Sequence, residues 1–436
     1  MAENPAYVVA IIGGAVSGSE AANKLADRGI VVIIFDMKSR PYGKIEDGLP
    51  IWHEKLRQKY IDRIDNNLSH PNVHFIPNTK IGTDIDFIDL VKNWGFSAIL
   101  LANGAWKDRP LALKNVDQYI GKGLVYQNSL VSQFNRHYVQ SKLEKINYPD
   151  GSIVIGGGLA SLDVVKILML QSVHRELMKR DIDIDILTLE RESIKTVLSN
   201  NGLSLKELGL KGCTLFYRKR KEDMPLAPLP ADTSAEKREA TYRTRKKILT
   251  NFQEKFLFKI KSCHVPTDII VKNDRLIGLK FKKTRVKNGN CEIIDNSEYS
   301  YYAPLVVSSI GSIPEPINGI SMSGELYAIK DPESGQLQNN EKIFALGNVV
   351  TGKGNIRTSL THGKQVSDHV MDYYLAWKED DYKELLKRGA MDAKLKTDLV
   401  LKILENKKLL PVKKIKEIIR KANKHKKRMG GSGPVM

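Results

Sequence analysis

The sequence predicts an α/β fold built on two βαβ units, and three observations predict it. A glycine-rich turn, Ile12-Gly13-Gly14-Ala15-Val16-Ser17-Gly18, follows the apolar run Tyr7–Ile12. A second turn, Ile155-Gly156-Gly157-Gly158-Leu159-Ala160-Ser161, follows Ser152–Ile155. Each turn stands between a strand-like and a helix-like segment, which places backbone N–H groups at a helix N-terminus. With 436 residues the chain has room for two or three domains.

The elements follow in order. Residues 7–12 are a strand. Gly18–Arg28 keeps helical apolar spacing, and Gly29 stops it. Ile30–Phe35 is an apolar second strand that ends at Asp36. This is a complete βαβ opening of about 30 residues. Such a turn lets a pyrophosphate approach the backbone. Asp36, 18 residues past Gly18, stands where an acidic side chain binds a ribose hydroxyl pair. Ala98–Leu101 is a further strand, followed by Ala102-Asn103-Gly104-Ala105. Gly151 opens the second unit, whose helix is expected over about Leu159–Gln171. After the charged segment 175–210 comes a strand, Cys213–Tyr217, ending in Arg218-Lys219-Arg220-Lys221. Residues 255–302 alternate charged and apolar positions, as antiparallel strands do. Pro304–Ile310 is apolar and ends at Gly311, and Ile343–Leu346 leads into Gly347-Asn348. A helix is expected over about Arg357–Trp377. Two short helices, Asp398–Leu404 and Val412–Ala422, are expected around Pro411, and disorder over Gly430–Met436. Two such turns imply two Rossmann-like domains and two dinucleotides, held so that electrons pass from one to the other.

Composition is ordinary for a globular chain. No apolar stretch is long enough to span a bilayer. The N-terminus lacks a basic n-region, so its apolar run reads as a strand and not a signal peptide. Cys213, Cys263 and Cys291 are far apart in the sequence. They form no Cys-x-x-Cys pair and no local zinc or iron–sulfur cluster, a usage that fits a reducing, cytoplasmic setting. The net charge is +19, and residues 378–436 hold 18 Lys/Arg against 8 Asp/Glu. A basic surface suits an acidic protein, nucleic acid or anionic lipid, with a solvated tail as the alternative.

Together these motifs resemble the flavoprotein pyridine-nucleotide oxidoreductases with two dinucleotide-binding domains. More narrowly they are similar to the adrenodoxin reductase and ferredoxin–NADP reductase branch and to the glutamate synthase small subunit. The resemblance covers roughly residues 7–375. It implies FAD on the first turn, at Gly13, Gly14, Ala15 and Gly18, with Ala15 where a glycine is usual. Arg40-Pro41-Tyr42-Gly43-Lys44 resembles the segment over the flavin, which adds Gly43. Leu49-Pro50-Ile51-Trp52-His53 resembles the loop whose histidine lies near the flavin, a role that falls to His53. Asn103 and Gly104 stand in the counterpart of an Ala-Thr-Gly turn, with Val307–Gly311 as its later partner. Gly347 and Asn348 resemble the last FAD motif, with Asn348 in place of Asp or Trp. Gly354, Asn355 and Ile356 would then bring backbone N–H groups to the flavin. The second turn, through Gly156, Gly158 and Ser161, would hold NADP(H). Tyr217-Arg218-Lys219 resembles the Tyr-Arg-Arg that binds the 2′-phosphate, with Arg220 as a third candidate. Such cations complement a phosphate dianion. No acid ends this strand to bind a free 2′-hydroxyl, so NADPH is favoured over NADH.

The resemblance implies an enzyme, an FAD-dependent oxidoreductase that takes hydride from NADPH. Electrons would pass to an acidic external carrier, ferredoxin or flavodoxin, because the sequence offers no cysteine pair or cluster as an internal acceptor. One alternative is an electron-input subunit of a larger enzyme, docked through the tail. Another is a cofactor-bound binding protein using that tail. The tail has few aromatics and no nucleic-acid motif, which disfavours nucleic acid. The small subunit's N-terminal cluster extension is not expected, since the first unit begins at residue 7. The expected FAD domain is discontinuous, over 1–113 and 303–380. The NADP domain, 114–302, is inserted into it, and a basic helical tail occupies 381–436.

Overall fold

The structure, a computed structural model, describes residues 6–139, 148–229, 233–287, 289–352, 354–376 and 409–428. The chain divides into two units. The first takes residues up to Glu46, Glu54–Lys107 and the chain from Ser312 onward. The second takes Asp47–His53 and Asp108–Gly311.

In the first unit, strands Asn340–Ala345, Ala98–Leu101, Ala6–Ile12, Val31–Phe35 and Val73–Ile76 lie side by side and parallel, in that order. Gln336–Leu337 adds an antiparallel edge. A strand such as Val-Val-Ile-Ile-Phe, apolar at every position, suits a parallel sheet covered on both faces. Alternation assigns the faces. Val9, Ile11, Val32, Ile34 and Leu100 pack with Ala21, Ala22 and Leu25 of helix Val16–Asp27, and with Val366 of helix Ile356–His369. Val8, Ala10, Ile33, Ile99 and Leu101 form the other face.

The second unit is a five-stranded parallel sheet in the order Leu124–Tyr126, Val306–Ser309, Ile153–Gly156, Thr214–Tyr217, Lys259–Ser262. Helix Leu159–Met178 covers one face with Leu162, Val165 and Met169. The other face meets the expected antiparallel strands, His264–Lys272, Arg275–Lys287, Asn290–Ile293 and Tyr299–Tyr302. There Phe281 stacks on Phe216 with centroids 4.0 Å apart. No helix among the described residues is long and apolar enough to cross a membrane.

Several boundaries differ from expectation. Residues 303–311 belong to the second unit, because Val306–Ser309 fills the gap in its parallel sheet beside Ile153–Gly156. The long excursion into the second unit starts after Lys107, where 113 was expected. Asp47–His53 groups with the second unit. Trp52 packs on Phe134 at 5.4 Å, and Asn135 donates to the Leu49 carbonyl at 2.9 Å. The C-terminal helix is longer than expected, Val412–Arg428, and it is no loose tail. Leu409 and Leu410 pair antiparallel with Tyr7 and Ala6, and Ile415, Ile418 and Ala422 are buried on the face that holds Ile33 and Ile99. The expected helix Asp398–Leu404 and the segment Gly430–Met436 lie outside the described residues, as does Trp377.

Candidate functional site

The first turn is set by close approach. Gly13 has φ +100°, and a Cβ there would lie 2.6 Å from the Ala102 carbonyl oxygen and 3.0 Å from Asn103 Cα. On Gly18 a Cβ would sit 1.9 Å from the Gly13 carbonyl oxygen, so only glycine lets this helix start so near the turn. Ala15 precedes the helix without a side-chain cap, and its first turn holds no acid. The unusual Ala15 methyl has room because position 43 is glycine: a Cβ on Gly43 would come within 2.8 Å of it. Asp36 is 9% exposed and joins the strand end to the turn. Its Oδ2 accepts from Gly14 N–H at 2.8 Å and its Oδ1 from Lys38 N–H at 2.9 Å. Burial raises its pKa, and those two N–H groups and the Lys38 charge hold the rise back.

The late motif closes on this turn. A Cβ on Gly347 would lie 2.4 Å from Ser17 Oγ, and one on Gly363 would lie 2.9 Å from the Ser17 carbonyl oxygen. His362, which the sequence reading missed, fixes the junction. Its Nδ1 accepts from Gly347 N–H at 2.9 Å, so Nε2 carries the proton and donates to the Pro332 carbonyl at 2.8 Å. Asn348 and Asn355 were expected near the cofactor, but their side-chain oxygens serve the local chain. Asn348 Oδ1 accepts from Gly354 N–H at 2.7 Å, and Asn355 Oδ1 caps the helix opening at Ile356 through Thr358 N–H at 3.3 Å. Asn103 donates through Nδ2 to Tyr327 Oη at 2.9 Å. Gly104, at φ +67°, lies 3.9 Å (as a Cβ) from Trp106 Nε1, whose ring carries Lys38 Nζ at 4.7 Å from its centroid.

The second turn is built alike, with one change of chemistry. Gly158 opens helix Leu159–Met178 with no side-chain cap and open space around it. A Cβ on Gly156 would meet Ser161 Oγ and the Ser309 carbonyl oxygen, each at 2.3 Å. Ser161 is fully buried and donates to the Ser309 carbonyl at 2.9 Å, so its hydroxyl holds the helix to strand Val306–Ser309. Gly157, absent from the expected set, is covered by Tyr217: a Cβ there would lie 2.3 Å from two ring carbons. Tyr217 donates to the Asp223 carbonyl at 3.1 Å, and burial pushes its pKa up to about 12.

The basic run separates by partner. Arg220 forks onto Asp223 through Nε at 2.8 Å and Nη2 at 3.0 Å, so two of its donor positions serve the local chain. Lys219 Nζ donates to the Gly289 carbonyl. The Arg218 guanidinium is exposed and makes no hydrogen bond or ion pair among the described residues. Its carbonyl is held by Thr284 Oγ1 at 2.6 Å and Cys291 Sγ at 3.2 Å. Cys263 N–H donates to the next carbonyl, Lys219, at 2.9 Å, so two cysteines distant in sequence brace one loop. His53 Nε2 lies 3.4 Å from Asp163 Oδ1 of the second unit's helix, which orients the ring.

No family model matches the chain. It is 30% identical over 174 residues to the glutamate synthase [NADPH] small chain of Bacillus subtilis, spanning 38% of this chain and 34% of that protein. Against the Escherichia coli small chain it is 21% identical over 395 residues, 84% of this chain and 68% of that one. It is 28% identical over 193 residues to the probable NADPH:adrenodoxin oxidoreductase of Schizosaccharomyces pombe, spanning 43% of this chain and 39% of that one. Among solved structures, Mycobacterium tuberculosis FprA in complex with NADPH is similar with a TM-score of 0.64 at 18% identity, over 92% of this chain and 90% of that one. These relatives fall in the branch that the motifs resemble. The fold is that of FprA, and the chain divides into two α/β units, the sequence of one interrupting that of the other.

Proposed function

We propose that the protein is an FAD-dependent NADPH oxidoreductase that passes electrons to an external acidic carrier such as ferredoxin or flavodoxin. One observation carries the reading. Both glycine turns end in helices with no side-chain cap, but their neighbouring strands end in opposite chemistry: buried Asp36 in one unit, free Arg218 in the other. Uncapped helix N-termini suit a pyrophosphate. An acid beside one suits the unphosphorylated ribose of FAD, and a free guanidinium beside the other suits a 2′-phosphate. Gly13, Gly14, Ala15, Gly18, Asp36, Gly43, Asn103, Gly104 and Gly347 would hold FAD, with the backbone of Asn348 and Gly354–Ile356 around it. Gly156, Gly157, Gly158, Arg218 and Lys219 would hold NADP(H). His53, oriented by Asp163, remains the candidate side chain near the flavin. FAD, when bound, supplies an acceptor for hydride that can release electrons singly.

The C-terminal helix offers the docking surface. Glu417 is matched by Lys414 and Lys421, each at 3.5 Å. Lys413, Lys416, Arg420 and Lys424 are exposed, share one helical stripe and have no acidic partner among the described residues. The apolar face of the helix is buried, so the stripe is fixed on the first unit. Reversing these four charges to Glu should raise the KM for ferredoxin several-fold and spare the reduction of a small neutral dye. Added salt should slow the wild-type reaction with ferredoxin as the Debye length falls below about 10 Å. Unchanged carrier kinetics would remove the stripe from the account. If no ferredoxin or flavodoxin is reduced at any salt, the chain is instead the electron-input subunit of a larger enzyme, the reading that the match to the glutamate synthase small chains supports. Co-purification of a stable complex tests it.

A further inference from the structure

The turn at Asn103 contains a polar atom with nothing to bind. Asn103 Oδ1 is buried and has no hydrogen-bond partner among the described residues. The orientation of this amide follows from its neighbours. Tyr327 is 2% exposed, and its hydroxyl donates its one proton to the Glu315 carbonyl at 2.8 Å. A carbonyl can only accept, so toward Asn103 the same hydroxyl can only accept. The amide must therefore present Nδ2 to Tyr327, at 2.9 Å, and Oδ1 away from it. Burial pushes the Tyr327 pKa up to about 12, which keeps that proton in place at ordinary pH.

A buried acceptor without a donor is destabilising unless something completes it. Asn103 Cα stands against the first glycine turn, 3.0 Å from where a Gly13 Cβ would be. That turn is the one read above as the FAD cradle, and the inference rests on that reading. A dinucleotide brings hydroxyl donors on its ribose and ribityl chains. We propose that Asn103 Oδ1 accepts a hydrogen bond from a hydroxyl of the bound flavin dinucleotide, and that Tyr327 is the positioning residue that locks the amide in the accepting orientation.

The test is FAD binding to the apo-protein, read by titration calorimetry and by quenching of flavin fluorescence. Asn103→Ala should weaken FAD about two- to tenfold, the range for one neutral hydrogen bond. Tyr327→Phe should weaken it by a similar factor, because the freed amide can turn over. In the Asn103→Ala background Tyr327→Phe should add no further loss. Asn103→Leu, which keeps the volume, gives the same readout if the alanine variant folds poorly, and circular dichroism reports folding. FAD affinity within error of wild type in both Asn103 variants would overturn the proposal, leaving the orphan oxygen to a water. A Tyr327→Phe loss that persists in full without Asn103 would overturn the positioning role. Failure of the wild-type apo-protein to take up FAD would instead sink the cofactor reading and this proposal with it.

Discussion

Arg218→Ala is the perturbation that separates recognition from folding most cleanly. Four consecutive cations follow Tyr217; of the three expected at the phosphate, Arg218, Lys219 and Arg220, the Arg218 guanidinium alone lacks a protein partner among the described residues. Losing one charge-assisted phosphate contact costs about 1.5–3 kcal/mol, or about 10- to 150-fold in affinity. Arg218 is exposed, so solvent screening favours the lower end. Lys219→Ala should cost less, since its ammonium must first leave the Gly289 carbonyl. Arg220→Ala should change NADPH affinity by less than about threefold and mainly release Asp223, a partly exposed pair worth about 1 kcal/mol or less. Steady-state kinetics with NADPH and NADH, together with inhibition by 2′,5′-ADP, provide the assay. The Arg218 variant should raise the NADPH KM and the 2′,5′-ADP inhibition constant and leave NADH nearly unchanged. Equal losses with both coenzymes, or an Arg220 variant as impaired as the Arg218 one, would refute the reasoning.

Two further outcomes follow from close contacts. Gly157→Ala places a methyl 2.3 Å from the Tyr217 ring and should displace that ring, so NADPH reduction should fall sharply while the protein keeps its flavin; loss of the yellow colour would contradict it. His362→Ala leaves the buried Gly347 N–H without an acceptor, at a cost of about 1–3 kcal/mol. In a domain of this size that is about 2–4 °C of Tm per kcal/mol, and His362→Asn should recover part of it, since its Oδ1 can stand in for Nδ1.

The framework of the fold was legible because it is written in local signals. The turn at Gly13, the apolar strand Val31–Phe35 and the acid at its end fall in register within a single βαβ unit, and the turn at Gly156 opens a second one. Residue roles that depend on distant partners were not legible. Nothing near Ser161 announces the Ser309 carbonyl, 148 positions on, that takes its proton. His53 meets Asp163 across 110 positions, and Cys263 and Cys291 share a loop only because two strands bring them there. Arg220 is a different case. Its fork partner Asp223 lies three residues on, at the spacing of a single helical turn, so the pairing could have been read. The C-terminal helix also carried its signal, with apolar residues at 415, 418 and 422, but the surface that receives them is made by residues near the start of the chain.

The central claim is that this chain holds FAD and reduces it with NADPH. The most direct measurement is the visible absorbance spectrum of the purified protein, followed anaerobically as NADPH or NADH is added. The expected result is a yellow protein whose flavin band bleaches with NADPH, and at clearly lower concentration than with NADH. A colourless protein that ignores added FAD, or a yellow one that neither coenzyme bleaches, would contradict it.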